Sequence, residues 1–350
     1  MTLRNAIYRI LSMLMLAFVI TSCEHRPLED PFNAHYVRIY IDENIKNVTY
    51  GFYDDTRIKP EYYRPRVLRV LLSHPLTGEV VSERYLQSYG EDERGYYVDG
   101  YIAAAEGEYN MMVYNFGSSK TKISNEYSYY DMQAYTSPVS SAYYQYFPMM
   151  QEAIESKSIR YCPDHLFLTT CESVKVDNKL YVDTLYNAQG DYFTAGTIVK
   201  SYYLQVRIKG FEYINSAISL LGGMAGTASM CTATLDEEDV VNIFFDMDYA
   251  DVEHLRDAST KSAVLYATFN TFGKLPNEQN IYTMNFEFTR TDGSSQVETI
   301  DITSMFDDPI VKEHQWILIE QEIEIDPVEG GGGMSPGVDQ WDDEWADIQL

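Results

Sequence analysis

The sequence predicts an all-β protein built from two β-sandwiches, with one short helix in the first of them. Three observations support this fold class. Short segments alternate apolar with polar side chains, as strands with one buried face do. Turn residues separate these segments at regular spacing, which indicates sandwiches rather than helix-crossover units. The chain also contains 31 tyrosines, and aromatic residues favour pleated, half-buried surfaces.

Predicted strands fill most of the first half of the chain. The segment 37–42 alternates apolar and polar side chains. The more apolar segment 67–72 and the segment 80–86 flank a turn that contains Thr77 and Gly78, which is a hairpin signal. Further strands of this half are predicted at 95–105, 107–116, 166–168 and 174–176.

Two parts of the first half lack a strand pattern. Residues 119–141 are polar and rich in tyrosine without a clear period, and we predict a long surface loop there. Residues 143–158 have apolar side chains at helical spacing, with Pro148 suited to a first helical turn. This segment is the predicted helix.

The second half begins after a mixed, turn-rich segment at 177–197. We therefore expect a first domain at 35–190 and a second domain at 191–326. The glycine-rich stretch 221–226 interrupts the strand pattern, and the final strand at 315–325 alternates strictly. The other strands of this half are predicted at 198–209, 240–247, 262–272, 282–289 and 296–302.

The N-terminus has the layout of an export signal. Two arginines precede the apolar run 10–20, and small polar residues then lead to Cys23. The run is too short for a spanning helix, which needs roughly 20 residues. The stretch resembles the cleavage box of bacterial lipoproteins. The resemblance implies that residues 1–22 are a signal peptide, that Cys23 carries the lipid and that 23–34 form a tether. An ordinary signal peptide with an incidental cysteine and a retained anchor helix are the alternatives.

The composition excludes some classes of partner. The formal net charge of −27 argues against nucleic acid, because a phosphate backbone needs a basic footprint. It also argues against electrostatic adhesion to anionic lipid, so that membrane attachment depends on the lipid at Cys23. Cys162, Cys171 and Cys231 remain in the body. Either Cys162 and Cys171 staple a local turn, or all three are small buried residues.

The sequence contains no strong catalytic or metal-binding motif, and we expect neither an enzyme nor a cofactor. The six histidines are scattered, with no pair at metal-ligand spacing. Asp246, Asp248 and Asp251 have a spacing that suits calcium but lack the glycine and glutamate of an EF-hand loop, so we interpret them as a solvated loop. A glycoside hydrolase stays a minor alternative, because many carboxylate pairs are available.

The tail at 327–350 is acidic but contains two tryptophans. Gly330 to Gly333 form a hinge that is flexible by composition, and Trp341 and Trp345 follow it. A solvating tail does not need tryptophan. These two side chains therefore either pack back on the body or bind a partner.

Several short motifs follow one another along the chain. They are the Cys23 box, 68–72 leading through 77–79 to Leu86, 107–109 followed by 113–116, 221–225, 268–273, 291–293 leading to 301–303, and 330–341. Their order resembles that of the FimB-like and fimbrillin-like lipoproteins of Bacteroidota, a group that includes a related domain family of unassigned function. The resemblance implies two tandem transthyretin-like, Greek-key β-sandwich domains. It also implies a fimbrial anchor or accessory subunit on the outer membrane and cell surface, joined to other fimbrial subunits by β-strand addition.

Within this interpretation, the final strand and the tail are the candidate partner-binding segments. No arginine-type protease site is found in an N-terminal propeptide, which favours an anchor or a stand-alone surface lipoprotein over a polymerising shaft subunit. The alternative is a surface glycan-binding lipoprotein that uses tyrosines of the 127–147 loop. The candidate partner-binding residues are Trp316, Leu318, Ile323, Ile325, Trp341 and Trp345.

Replacement of the anchoring cysteine tests the N-terminal interpretation. We expect Cys23→Ala to release the protein from the membrane fraction while leaving the fold intact, because the acidic body has no electrostatic affinity for anionic lipid. Fractionation followed by immunoblotting measures the effect, with Cys231→Ala as the control. A Cys23→Ala protein that stays with the outer membrane contradicts the interpretation.

Overall fold

The computed structural model describes residues 34–43, 63–115, 120–140, 147, 158–177, 183–250, 262–276 and 280–328. The predicted all-β class is confirmed, since these residues contain 21 strands and one short α-helix. The strands of the first half are β1 Ala34–Ile41, β2 Leu68–Ser73, β3 Val80–Leu86, β4 Ser88–Asp92, β5 Gly95–Ala103, β6 Gly107–Asn115, β7 Thr121–Ser124, β8 Gln133–Thr136, β9 Ser158–Tyr161, β10 Phe167–Val176 and β11 Asp183–Thr184. The later elements are β12 Phe193–Thr197, β13 Lys200–Lys209, β14 Ile214–Ala225, β15 Thr227–Ser229, β16 Val240–Asp246, β17 Asp248–Ala250, β18 Ser262–Thr271, β19 Thr283–Arg290, β20 Ser295–Asp301, α1 Pro309–His314 and β21 Trp316–Glu324.

The first half is dominated by one curled sheet. Its strand order is β3-β2-β6-β10-β12-β1-β5-β4, and β11 also pairs with β1. The sheet curls until β3 meets β5, where the Ser82 hydroxyl donates to the Ala103 carbonyl at 2.6 Å. The sheet thus encloses its own apolar core, which includes Val37, Ile39, Leu68, Val98 and Phe167.

The second half is a sandwich of two sheets. A four-stranded sheet of order β17-β18-β13-β21 faces a five-stranded sheet of order β20-β19-β14-β16-β9. Alternate side chains of both sheets fill the space between them, as period-2 strands require. The buried cluster includes Leu204, Val206, Phe269, Phe286 and Phe288.

Strands from early in the sequence join the two halves. β9 pairs with β16 in parallel, and β7 and β8 form a small sheet with β15. The Arg160 guanidinium lies 2.8 Å from an Asp239 carboxylate oxygen. Conversely, β12, from beyond residue 190, lies in the nine-stranded sheet. The division into domains at 35–190 and 191–326 stays a prediction.

The predicted surface loop at 119–141 is wrong over the described residues 120–140. They contain β7 and β8, and Tyr129, Met132 and Ala134 are buried. Together with residues such as Leu71, Met230 and Phe272 they form an apolar cluster between the halves. Each strand has only four residues, too short for alternation to be recognised in the sequence. The predicted helix at 143–158 lies almost wholly outside the described residues, and Ser158 begins β9.

The composition of the glycine-rich stretch 221–226 predicts a break in the strand pattern, but β14 continues as far as Ala225 and ends only before Gly226. Its register shifts between Gly222 and Met224. Gly223 has φ of +91°, and a Cβ there would lie 2.5 Å from the Ile281 carbonyl oxygen. The two glycines therefore form a β-bulge that only residues without a side chain permit.

The burial of residues 120–140 is tested by comparing two positions in that segment. Met132 is 0% exposed and Tyr127 is 75% exposed. We expect Met132→Ala to lower the free energy of unfolding by about 2–5 kcal/mol, because it leaves a cavity. Tyr127→Ala should change it by less than about 0.5 kcal/mol. Denaturant unfolding measures both values. Equal effects of the two substitutions would contradict the burial of this segment and support the predicted surface loop.

Candidate functional site

The candidate site lies on one side of the second sandwich. On this side, each of the two sheets ends in an edge strand. β21 is the last strand of the four-stranded sheet and β20 is the last strand of the five-stranded sheet. The described residues place no further strand beyond either of them. An edge strand directs one row of backbone N–H and C=O groups outward, and these can pair with another chain.

The two edges meet at Gln296 on β20. Ile325 donates its amide to the Lys209 carbonyl on β13, so the Glu324 carbonyl and the Asp326 amide point to the open side. The Gln296 side chain bonds both of these groups. Its amide nitrogen donates to the Glu324 carbonyl at 2.9 Å, and its amide oxygen accepts from the Asp326 N–H at 2.9 Å. Gln296 therefore caps the end of β21 and closes this part of the opening.

Away from Gln296 the edges diverge around a groove of about 420 Å³. The groove is mostly apolar, and its described lining residues are Ile300, Met305, Asp308, Ile310, Val311, Leu318, Ile319 and Gln321. The connection from β20 to β21 forms one wall. In it the Asp308 side chain accepts from the Ile310 N–H at 2.8 Å, and Pro309 occupies the first turn of α1. This cap fixes α1 beside the groove, with Ile310 41% exposed.

The structure separates the predicted partner-binding residues. The predicted final strand is present as β21, which Trp316 begins. Leu318 is half-buried and lines the groove, whereas Ile323 and Ile325 are buried in the sandwich core. Trp341 and Trp345, like Cys23, lie outside the described residues. Of the candidates that the structure describes, Leu318 therefore lies in the groove, and the two isoleucines lie in the packing beneath it.

Sequence reasoning missed the residues that shape the opening. No alternation of apolar and polar residues in the sequence distinguishes Gln296, Met305 and Ile310 as members of a site. One local signal was available, because aspartate followed by proline at residues 308 and 309 is typical of a helix start. The meeting of β20 with β21 has no local signal, since 28 residues separate Gln296 from Glu324.

A second cavity, of about 630 Å³, lies between the two halves. Its lining includes the polar residues Lys120, Cys162, His165 and Asn270. The Cys162 thiol donates to the Phe244 carbonyl at 3.3 Å, and burial raises its pKa to about 12. Burial also lowers the pKa of the His165 imidazole. A thiol that stays protonated at neutral pH is a poor nucleophile.

The described residues also bear on the predicted disulfide and on the aspartates whose spacing suits calcium. Cys162, Cys171 and Cys231 are half-buried free thiols, so Cys162 and Cys171 do not form the alternative disulfide staple. Asp251 lies outside the described residues, within which no group of three or more His, Cys, Asp or Glu side chains could hold a metal ion.

The tyrosines of the 127–147 segment do not share one environment. Tyr127 and Tyr130 are exposed, whereas Tyr129 is buried and contacts the edge of the Tyr130 ring, with the ring centres 5.2 Å apart. The Tyr130 hydroxyl donates to the Pro75 carbonyl. Tyr130 is thereby fixed against the body by both its ring and its hydroxyl.

In the part of the chain that the structure describes, no helix has both the length and the apolar character needed to cross a bilayer.

Comparisons with known proteins add a family and relatives. Residues 71–246 match the family described as "Domain of unknown function (DUF5119)". The chain is 23% identical over 369 residues to the "Putative fimbrium anchoring subunit Fim4B" of Bacteroides ovatus, and the match covers 98% of each chain. The resemblance to fimbrial proteins that the sequence motifs indicated is confirmed, and the glycan-binding alternative is not favoured.

Solved structures support the fold. A crystal structure of a "putative adhesin" from Bacteroides ovatus is similar with a TM-score of 0.56 and 20% identity, over 88% of this chain and 98% of the other. The fimbrial anchor protein Mfa2 from Porphyromonas gingivalis gives a TM-score of 0.39 and 9% identity, over 77% of this chain and 83% of the other. The first of these two likenesses shows a shared fold.

Removal of the Gln296 cap should loosen the end of β21. A hydrogen bond of this kind contributes about 1 kcal/mol, so in Gln296→Ala we expect the exchange rate of the Asp326 amide to rise about fivefold. Hydrogen exchange followed by mass spectrometry or NMR measures the rate. Gln321→Ala, on the same edge, is the matched control. Equal protection of Asp326 in both variants would show that Gln296 does not cap the strand.

Proposed function

The chain belongs to the DUF5119 family, a domain of unknown function, and we propose that it is a non-enzymatic fimbrial anchor or accessory subunit. In this proposal a strand of another fimbrial subunit binds along β21 at the open side of the second sandwich. The observation that carries the proposal is the pair of diverging edge strands with an apolar groove between them. The name of the Bacteroides ovatus relative supports the fimbrial role.

Strand addition requires free backbone groups and a place for alternate side chains. Among the described residues, β21 pairs with β13 alone, and Trp316 to Leu318 follow a regular parallel register. An incoming strand can extend the four-stranded sheet along this segment. Those of its side chains that face the groove would then contact Ile310 and Leu318, which replaces exposed apolar surface with a packed contact.

An anchor must also transmit force from its partner to the membrane. We propose that the lipid is attached at Cys23, so that tension reaches the body through the start of β1. β1 pairs with β5 from Ala34 to Tyr40, with β11 at His35 and Tyr36, and with β12 from Ile39 to Ile41. Tension along β1 therefore loads hydrogen bonds on both of its sides together. A strand held in this way suits a load-bearing role.

The groove is the part of the proposal that mutation can test. We expect Ile310→Asp and Leu318→Asp to reduce co-purification of fimbrial subunits from the host bacterium at least tenfold, because a buried carboxylate has no partner in the apolar groove. Surface levels of each variant, measured by immunoblotting of whole cells, should match the wild type. Leu76→Asp, at an exposed turn residue, is the matched control.

Fimbriae on cells that carry each variant are then counted by electron microscopy. If both groove variants capture as much fimbrial subunit as the control does, the partner strand does not bind at this groove.

A further inference from the structure

The cavity between the two halves has the size of a site for a small ligand. Its volume of about 630 Å³ lies within the roughly 300–1,000 Å³ that is usual for such sites, which are common at interfaces between domains. Tyr63 and Lys120 come to it from the first half of the chain, and Asp246 and Thr268 come from the second. A ligand in this cavity would therefore contact both halves.

Hydrogen bonds fix the wall of the cavity at residues 162–165. The Asn115 side chain donates to the His165 carbonyl at 2.8 Å, and the Asn270 side chain donates to the Pro163 carbonyl at 3.0 Å. These bonds tie the wall to β6 on one side and to β18 on the other. Since the body itself holds the wall in place, binding of a ligand requires little reorganisation.

Several polar side chains around the cavity have neither a hydrogen bond nor an ion pair within the part of the chain that the structure describes. They are the Lys120 ammonium group, the Asp246 carboxylate and the hydroxyls of Tyr161 and Thr268. The Nδ1 atom of His165 is also buried without a hydrogen-bond partner. Polar groups that converge on a concave surface and lack partners indicate a ligand site.

Lys120 and Asp246 bring opposite charges to this cavity. The Lys120 ammonium group lies 5.7 Å from the centre of the Tyr161 ring and attracts the Asp246 carboxylate without forming an ion pair with it. The Asp246 side chain is open to the cavity but enclosed by protein on its other sides, and this burial raises the pKa of its carboxyl. A cationic group beside the carboxylate would offset the loss of hydration. The two unpaired charges thus favour a ligand with both a carboxylate and an amino group over a neutral sugar, which pairs neither charge.

Much of the remaining lining is aromatic. The Tyr63 ring is 41% exposed and stacks on the His165 ring, with the ring centres 5.6 Å apart. Phe244 and Phe269, which also line the cavity, are buried. An apolar side chain of the ligand can pack against these rings, which removes apolar surface from water.

We propose that this cavity binds a small zwitterion, an amino acid or short peptide with free ends, whose carboxylate pairs with Lys120 and whose ammonium group pairs with Asp246. The apolar side chain of the ligand packs against Tyr63. Because the ligand contacts both halves at once, its binding stabilises the junction between them. Binding in this cavity does not depend on the proposed capture of a strand at β21.

Isothermal titration calorimetry of the full-length chain tests the proposal, with phenylalanine and the dipeptide phenylalanylalanine as probes. We expect the tighter-binding probe to have a Kd of about 1 mM or lower. N-acetylation of that probe removes its positive charge, and amidation removes its negative charge. Each capped form should bind about tenfold more weakly, because it loses one charge-assisted contact.

Variants of the chain show whether the two charges act as assigned. In Lys120→Met, the free and the amidated probe should bind equally, because the partner of the carboxylate is removed. In Asp246→Asn, the free and the acetylated probe should bind equally for the corresponding reason. Lys122→Met and Asp248→Asn, at exposed positions outside the cavity lining, are the matched controls and should bind like the wild type. Thermal unfolding checks that each variant is folded, and a saturating probe should raise the Tm of the wild type.

The proposal is overturned if neither probe binds, if the capped probes bind as tightly as the free ones, or if Lys120→Met and Asp246→Asn bind like their controls. Binding of maltose, used as a neutral sugar probe, with no binding of either zwitterion would also contradict it. None of these results concerns capture of fimbrial subunits at the groove beside β21, so a failure of this proposal is distinguishable from a failure of the proposed function.

Discussion

The apolar packing between the two halves is the constraint on which the rest of the structure depends. Tyr129, Met132 and Ala134, from early in the sequence, pack with Ala228 and Met230, from late in it. Backbone pairing accompanies this packing, because β8 pairs with β15 and β9 pairs with β16. These contacts fix the nine-stranded sheet that holds β1 against the sandwich that presents β21. Without them, the proposed attachment point and the proposed partner site would be connected by single chain segments alone.

The second sandwich owes its open side to the way in which its two sheets end. β20 and β21 are joined where Gln296 bonds the Glu324 carbonyl and the Asp326 amide. Beyond this contact, the connection that contains α1 holds the edges apart and leaves a groove. A single side-chain amide thus satisfies two outward backbone groups, while the neighbouring segment of β21 stays available to a strand. An edge that is partly capped and partly open limits pairing to a short, defined register.

Several parts of the fold could be predicted because their signals are local. The final strand is present, and Ile317, Ile319, Ile323 and Ile325 are buried as alternation predicts, whereas Gln321 on the same face is exposed where the register of β21 shifts. The surface loop at 119–141 was predicted wrongly because β7 and β8 are too short to show a period and are stabilised by distant residues. The stretch 221–226 was interpreted as a break because glycine signals turns in general, whereas here Gly222 and Gly223 form a bulge within β14.

The sequence by itself determined the strand class and the acidic net charge, because both depend on residue types and short spacings, and the export signal stays a prediction. The sequence also placed Leu318 and the final strand among the candidate partner-binding residues. Only the tertiary structure decided that β21 is an edge strand, that β20 lies beside it and that Gln296 caps its end. The physical reason is that alternation reports which face of a strand is buried, but not which strand pairs with its edges. That pairing depends on the packing of the whole chain.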